Sequence, residues 1–293
     1  MPEPRRVART LLDSRTICSY NELVAELRTS KRETAGAVKE KEPGRAPEGM
    51  AGLAKGLAVI EAFGESCTQL TVADAARVTG VTRASARRCL LTLTDLGYLT
   101  YDGKYFRPTP RMLRLGTSYL ESASLPLLAQ PHLIAAREKL AESVSLAVLE
   151  DGWSMFVARA EAPRIVSTGV RLGARLPAYA CATGRVLLMD LDEDALNAYL
   201  DKCRPERRTP KTLTDVSAIK VRIEEERVDA VAFTDEELEL GMRSMAVPVK
   251  NAQGRTMAAL SVSVFTARAT LEDMRRGFLP VLRDHADKIG RLL

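Results

Sequence analysis

One glycine, Gly80, separates two short amphipathic segments in the stretch TVADAARVTGVTRASARRCLLTLTDLGYLTYDGKYF, Thr71 to Phe106, and constrains the fold more than any other feature. The Thr71 side chain can accept from the backbone N–H of Asp74, whose carboxylate sits in the favourable first turn, so a helix over Val72–Thr79 is expected. Small Ala73 and Ala76 would let that helix approach its neighbours closely. Gly80 then supplies a sharp turn, Val81 plugs the core, and Thr82 caps a further helix from Arg83 to about Leu96. On this last helix Ala86, Leu90 and Leu93 recur at i, i+4 and i+7, which makes a buried stripe. Arg88 projects nearly opposite the stripe, and Ser85 and Arg87 flank it near the N-terminus. After Gly97 the period changes to two, and Asp102-Gly103 favours a type I′ hairpin turn in which both central residues take positive φ.

A helix that buries one face and offers arginines from its first turns has the form needed to enter a major groove. Arg can pair there with guanine O6 and N7, and Ser or Thr with a phosphate. Thr82, Arg83, Ser85, Arg87 and Arg88 are the candidate contacts on the helix, and Lys104 and Arg107 on the hairpin, or wing, would meet flanking phosphates. Charge supports the reading. Between Thr71 and Arg114 the basic residues Arg77, Arg83, Arg87, Arg88, Lys104, Arg107, Arg111 and Arg114 face only Asp74, Asp95 and Asp102, a surplus equal to the +5 of the whole chain. Each such cation placed on a phosphate releases condensed counterions. A solvated charged face on a structural helical bundle is the alternative.

The length of 293 residues suits about two domains. No run of about 18 apolar residues occurs and the N-terminus lacks a secretory apolar stretch, so a cytoplasmic location is expected. Five scattered cysteines and two histidines make a zinc site or disulfide framework unexpected, and no cofactor is implied. The first 49 residues end in KEKEPGRAPEG, where charge, proline and glycine replace any apolar period, and read as a flexible basic tail, of which residues 1–45 are expected to be dispensable for specific binding. From Gly52, GLAKGLAVIEAFG sets Leu53, Leu57, Ile60 and Phe63 near helical spacing, with Gly64 as the stop.

GLAVIEAFG, LTVADAARVTGVTRASARRCLLTLTDLGYL, FRPTPRMLRLG, LPAYACATGRVLLM and FTDEELELGMRSMAVPV, in that order, resemble the IclR family of bacterial transcription regulators over about Met50 to Leu293. The run from RLPAYACATGRVLLM to ELGMRSMAVPV is most similar to the branch that controls aromatic-acid catabolism through the beta-ketoadipate pathway. The resemblance implies an α+β chain: a winged helix-turn-helix domain over 50–110, a linker helix over 111–124, and an effector-binding domain over 125–293 built on a curved antiparallel sheet flanked by helices. The residues point the same way. SLAVLE, MFVARA, RIVSTGVRL, SMAVPVK and TMAALSVSVF are strand-like, and helical segments such as CATGRVLLMDL, EDALNAYLDK and VSAIKVRIEEERVDA interleave without a strict βαβ repeat.

Catalysis is not expected of the second domain. Cys181 is a possible nucleophile, but His132, placed by its preceding proline at a helix start, and His285, in the final helix, have no nucleophile motif beside them. No G-x-S-x-G, Walker-type loop or G-x-G-x-x-G occurs. A ligand pocket fits better. Small Ala180 and Gly184 with Thr183 sit around a helix start whose N–H groups could hold an anion, close packing being the alternative. The resemblance implies that this loop, Tyr179 to Gly184, lines the effector pocket, and that the wall after Gly241 holds Ser244, where many relatives carry cysteine. Ser261 and Ser263 share one strand face and match polar pocket positions of the family. An aromatic or dicarboxylic acid needs a cation and apolar walls. Arg159 is the candidate cation, and Trp153, Met155 and Tyr179 are candidate walls. Glu224 to Glu226 and the acids around Glu236 read as solvated faces.

The function that follows is a regulator binding operator DNA as a dimer or tetramer and controlled by a small carboxylic acid. A DNA-binding architectural protein whose second domain only oligomerises, and a helix-turn-helix fused to a small-molecule hydrolase, remain as alternatives.

Overall fold

The computed structural model describes residues 50–64, 67–163 and 170–293. The tail over 1–49 and most of the strand expected at RIVSTGVRL lie outside the described residues. Contacts divide the chain into two units between Ser118 and Tyr119.

The first unit holds α1 (Ala51–Glu61), α2 (Val72–Thr79), α3 (Arg83–Asp95), β1 (Leu99–Tyr101) and β2 (Phe106–Pro108). Thr71 Oγ1 accepts from Asp74 N at 3.2 Å while Asp74 Oδ2 accepts from Thr71 N at 3.1 Å, a reciprocal cap. Such a cap contributes about 1 kcal/mol. Gly80 takes φ 68°, the left-handed conformation the turn needs, and Thr82 Oγ1 accepts from Ser85 N at 3.2 Å to start α3. The core gathers Val59, Ala75, Val78, Ala86, Leu90, Leu93, Leu99 and Phe106.

Three details depart from the sequence reading. In α1 the buried residue is Val59, while Leu53 and Leu57 are 60% and 47% exposed. Apolar residues occupy nearly every position from Leu57 to Ile60, so their period alone selects no face. In α2 it is Ala75 that is buried, and Ala73 is exposed. In the wing Tyr101 pairs with Phe106, which leaves a four-residue turn, and only Gly103 has positive φ. Asp102 Oδ1 accepts from Lys104 N at 2.9 Å and Tyr105 N at 2.7 Å, replacing the backbone bonds of a tight turn.

A 3-10 turn, Pro110–Met112, leads to α4 (Leu113–Ser122), through which the division passes, and α5 (Ser124–Leu140) follows. Pro131 lies inside α5, so His132 is a mid-helix residue and not one at a helix start. The second unit then builds one antiparallel sheet in the order β5-β4-β3-β8-β7-β6. Its strands are β3 (Ser143–Glu150), β4 (Trp153–Ala160), β5 (Arg175–Pro177), β6 (Ala232–Asp235), β7 (Met242–Lys250) and β8 (Thr256–Phe265). Helices and antiparallel strands in this arrangement make the chain α+β.

Alternation gives the sheet two unlike faces. One is apolar: Val144, Leu146, Val247, Leu260 and Val262 pack with Leu133 of α5 and with Leu282 and Ile289 of the last helix. That C-terminal segment runs as α9 (Leu271–Asp273), a π turn at Met274–Phe278 and α10 (Leu279–Gly290). Pro280 lacks the N–H that a regular turn would use, which suits the wider turn just before it. The other face carries alanines and serines, and α6 (Ala182–Leu188) lies against it over Ala232, Ala246 and Ala259. Outside α6, Ala178 to Ala180 pack with α7 (Glu193–Lys202) and α8 (Val216–Asp229) through Leu196, Leu200, Ile219 and Ile223.

Candidate functional site

In the first unit the candidate side chains fall into two groups. Thr82, Arg83, Arg87 and Arg88 are exposed on the first turns of α3, with Arg83 and Arg87 one turn apart and Arg88 beside them. The three arginines carry no hydrogen bond or ion pair among the described residues. Three unengaged guanidiniums on one exposed ridge form a cationic surface of the width of a single helix. Ser85 does not join them. It is 7% exposed and its hydroxyl accepts from Thr82 Oγ1 at 3.1 Å, so it closes the helix cap instead of reaching outward.

On the wing, Arg107 is held: Nη1 donates to Asp102 Oδ2 at 2.5 Å, and Nε and Nη2 donate to Gln69 Oε1 at 3.0 and 2.7 Å. Two turn amides and this guanidinium hold the Asp102 carboxyl down at about 2. Lys104 is exposed at the tip, with its ammonium 4.9 Å from the Tyr105 ring. The two wing cations therefore differ. Arg107 braces the turn, and Lys104 is the one presented.

In the second unit the register assembles two polar rows across the serine-bearing face. Arg159, Ser145 and Ser261 lie side by side on β4, β3 and β8; Ser143, Ser263, Ser244 and Thr234 form the next row on β3, β8, β7 and β6. Arg159 Nη1 donates to Ser145 Oγ at 2.9 Å, and Nη2 stands 3.7 Å from Glu161. Its side chain is 8% exposed, and burial draws the guanidinium below its ordinary value. Ser261 Oγ donates to the Ser145 carbonyl at 3.4 Å, and the Ser244 and Ser263 hydroxyls are 3.0 Å apart. A cation and several hydroxyls thus share one floor, the donor set that a carboxylate requires.

The expected aromatic wall is corrected. Counting back by twos from Arg159 puts Met155 and Trp153 on the same face, but a bulge between Leu146 and Ala147 inverts the alternation. Ala147 pairs with Phe156 and Val148 with Met155. One extra residue, Val157, moves Phe156 onto the polar face and Met155 to the apolar one, where it packs against the main core. Phe156, 5% exposed, is the aromatic side chain beside the rows.

The loop Tyr179 to Gly184 is placed differently from the rows. Tyr179 and Ala180 belong to the cluster under α7 and α8; Tyr179 N donates to Tyr199 Oη at 3.1 Å, and Tyr179 Oη accepts from Glu206 N at 2.8 Å. Gly184 is needed for close approach: a Cβ there would stand 2.2 Å from Ala178 Cα. Cys181 Sγ caps α6 by accepting from Gly184 N at 3.3 Å, and burial pushes its thiol up. Thr183 reaches the polar face, accepting from Ser154 Oγ at 2.7 Å.

One charged cluster escaped the sequence reading. Arg185 of α6 is fully buried; Nε donates to the Tyr179 carbonyl at 2.9 Å and Nη1 to Glu237 Oε1 at 3.0 Å, with Nη2 on the second Glu237 oxygen. Glu226 Oε1 stands 3.7 Å from Nη1 and accepts from Phe233 N at 3.1 Å. Glu224 and Glu225 are exposed as expected of a solvated face, but Glu226 and Glu237 are not. Burial raises the Glu226 carboxyl to about 7 against the pull of Arg185. The apolar neighbours of Arg185 in TGRVLLMDL were the available signal for a buried arginine.

Both units match known families. Residues 52–103 match the IclR helix-turn-helix domain, and residues 117–291 match the C-terminal domain of bacterial transcriptional regulators of the IclR type. The chain belongs to the IclR family of bacterial transcriptional regulators. It is 40% identical over 237 residues to the Pca regulon regulatory protein of Pseudomonas putida, covering 80% of this chain and 81% of that protein. It is likewise 40% identical over 254 residues to the p-hydroxybenzoate hydroxylase transcriptional activator of Acinetobacter baylyi, covering 85% and 94%. A solved structure from Acinetobacter, a double mutant of the PobR transcription factor inducer-binding domain in complex with 3-hydroxybenzoic acid, is 35% identical. It superposes with a TM-score of 0.55, covering 58% of this chain and 100% of that domain. Among the described residues no helix is long and apolar enough to cross a membrane, and no group of three metal-binding side chains occurs.

Proposed function

We propose that this chain is a cytoplasmic regulator of aromatic-compound catabolism that binds operator DNA through α3 as a self-associated dimer or tetramer, without catalysing a reaction. Its effector is a small aromatic carboxylic acid. The observation that carries the reading is the pairing of relatives named for pca and p-hydroxybenzoate regulation with a polar floor in which Arg159 lies beside Ser145 and Ser261. Arg83, Arg87 and Arg88 enter the groove, and Lys104 takes a flanking phosphate. Domain boundaries at 50–110, 111–124 and 125–293 accompany this assignment.

At the effector site the Arg159 guanidinium takes the carboxylate, the Ser261, Ser244 and Ser263 hydroxyls take polar groups on the acid, and Phe156 supplies a ring face. Thr183, through Ser154, ties the start of α6 to the same floor, so an acid seated there bears on α6. Tyr179, Ala180 and Gly184 hold α6 in place instead of touching the acid. A ligand shifts an equilibrium only by its differential affinity for two arrangements, and α6 is the element through which that difference acts.

Calorimetric titration of the full chain with benzoate, 3-hydroxybenzoate, 4-hydroxybenzoate and beta-ketoadipate tests the proposal. Binding of at least one of the three aromatic acids, lost in Ser261→Leu with the melting profile kept, is expected; binding of beta-ketoadipate alone would make the effector a dicarboxylic acid instead. An acid at about 100 times its dissociation constant adds roughly 2.7 kcal/mol of stability. Turnover of any of them would favour the hydrolase alternative.

A further inference from the structure

A cavity of about 510 Å³ opens in the second unit between α8, β6 and the start of the C-terminal helical segment. None of the effector-site candidates lines it. Its charged wall is unbalanced, and the imbalance has an address. Most carboxylates around it have a cation at hand: Arg222 is 3.4 Å from Glu225, Arg275 is 3.6 Å from Asp229, and Lys211 is 3.2 Å from Asp235. Glu272 accepts from Arg276 at 2.6 Å, and Glu237 holds the bidentate bond to Arg185. Glu226 is left to share that same arginine from 3.7 Å.

Glu226 is also nine-tenths buried, and while Oε1 accepts from Phe233 N, its buried Oε2 has no hydrogen-bond partner among the described residues. An unmatched buried carboxylate oxygen costs more than almost any other polar defect. It is relieved by a donor that brings its own positive charge. Beside Glu226 the wall offers the Phe233 ring and the aliphatic Leu213, Val231 and Leu271. Arg275 lies with its guanidinium 4.8 Å from the Phe233 ring centre, so this ring already holds a cation.

We propose that this cavity is a second small-molecule site, separate from the acid site, that takes an organic monocation: an ammonium or guanidinium group paired with the Glu226 carboxylate, with an apolar or aromatic body against Phe233 and Leu271. Because Glu226 and Glu237 both bear on Arg185, and Arg185 belongs to the helix that packs on the same sheet face as the serine rows, occupancy here would alter how α6 is held. The site therefore has a path to the acid site, and coupling of the two must be reciprocal.

Proton linkage gives the site a signature. Burial raises the Glu226 carboxyl to about 7 against Arg185 of α6, the Phe233 amide of β6 and Arg222 of its own helix, which lower it, while Glu237 adds to the rise. The cation binds the ionised form, so affinity is full above pH 7 and falls as pH drops through it, while the alkylammonium or guanidinium probe stays charged.

The test is calorimetry on the full chain with benzylammonium, n-butylammonium and n-butylguanidinium, with benzyl alcohol as the uncharged control and 4-hydroxybenzoate as the probe of the acid site. Saturable binding of at least one cation is expected, weaker at pH 6 than at pH 8, and undetectable for the alcohol. Glu226→Gln should weaken it at least about tenfold, the equivalent of one charged hydrogen bond, with 4-hydroxybenzoate still bound. If Glu226→Gln does not fold, the pH dependence in the wild-type chain decides. No cation binding, affinity independent of pH, or undiminished affinity in Glu226→Gln would each overturn the proposal, whatever 4-hydroxybenzoate does.

Discussion

The arginines of the two units are used in opposite ways. Arg83, Arg87 and Arg88 stand exposed on α3 with no hydrogen bond or ion pair among the described residues. Arg185 is wholly buried with two carboxylates around it, and Arg159 is nearly so. An exposed arginine keeps its hydration and spends it on a phosphate or base only when DNA arrives. A buried one has lost its water during folding, so its partners must already be in place. The same side chain is therefore left available in the first unit, as the proposed DNA contact requires, and in the second it is tied to partners already in place, Arg185 to carboxylates and Arg159 to Ser145.

Breaking the buried tie should have the largest effect. Glu237→Ala removes the bidentate acceptor of Arg185 and leaves a fully buried cation with Glu226 as its remaining nearby carboxylate, beside the Tyr179 and Phe233 carbonyls. A loss of about 3 kcal/mol in the stability of the second unit is expected, measured by chemical denaturation. A change below about 1 kcal/mol would mean that Arg185 is not desolvated as the structure shows it.

Next in size is Arg88→Ala, which should weaken specific DNA binding by roughly 1–3 kcal/mol while leaving the melting temperature nearly unchanged, because no hydrogen bond or ion pair among the described residues is lost. Gel-shift titration against specific and random duplexes reads it. Equal loss on both duplexes would assign Arg88 to a phosphate instead of a base.

Smaller again is Lys104→Ala. Its ammonium sits at the wing tip, so affinity for all sequences should fall modestly and the slope of log affinity against log salt should flatten by about one. Arg107→Ala sharpens the contrast between the wing cations. It removes the brace on Asp102 and Gln69 and should loosen the wing itself, seen as faster amide exchange at Lys104 and Tyr105.

The first unit was legible in the sequence because its determinants are local. Thr71 with Asp74, Gly80, Thr82 and the 86, 90, 93 stripe each act within one or two helical turns, and α2 begins and ends at the expected residues. What escaped there was side-chain chemistry at close range: Asp102 substitutes for backbone in the turn, and Ser85 turns inward to its cap. In the second unit the four long strands were visible, the short edge strands β5 and β6 were not, and neither were the faces. A single bulge residue, Val157, exchanges Met155 for Phe156, and strict alternation contains no signal for it. Ser143 and Ser145 could have been found by extending to β3 the alternation recognised at Ser261 and Ser263. The Arg185–Glu237 pair spans 52 residues, a distance over which neither helical nor strand periodicity carries information.

The claim that joins the two units is that an acid held in the second changes what the first does on DNA. Fluorescence anisotropy of a labelled duplex from immediately upstream of the chain's own gene, titrated with the full chain with and without saturating 4-hydroxybenzoate or the best acid from calorimetry, measures it directly. The account predicts a several-fold change in affinity for the specific duplex, abolished in Arg159→Met, which retains DNA binding without the acid. An affinity that is the same with and without every acid that binds would contradict it.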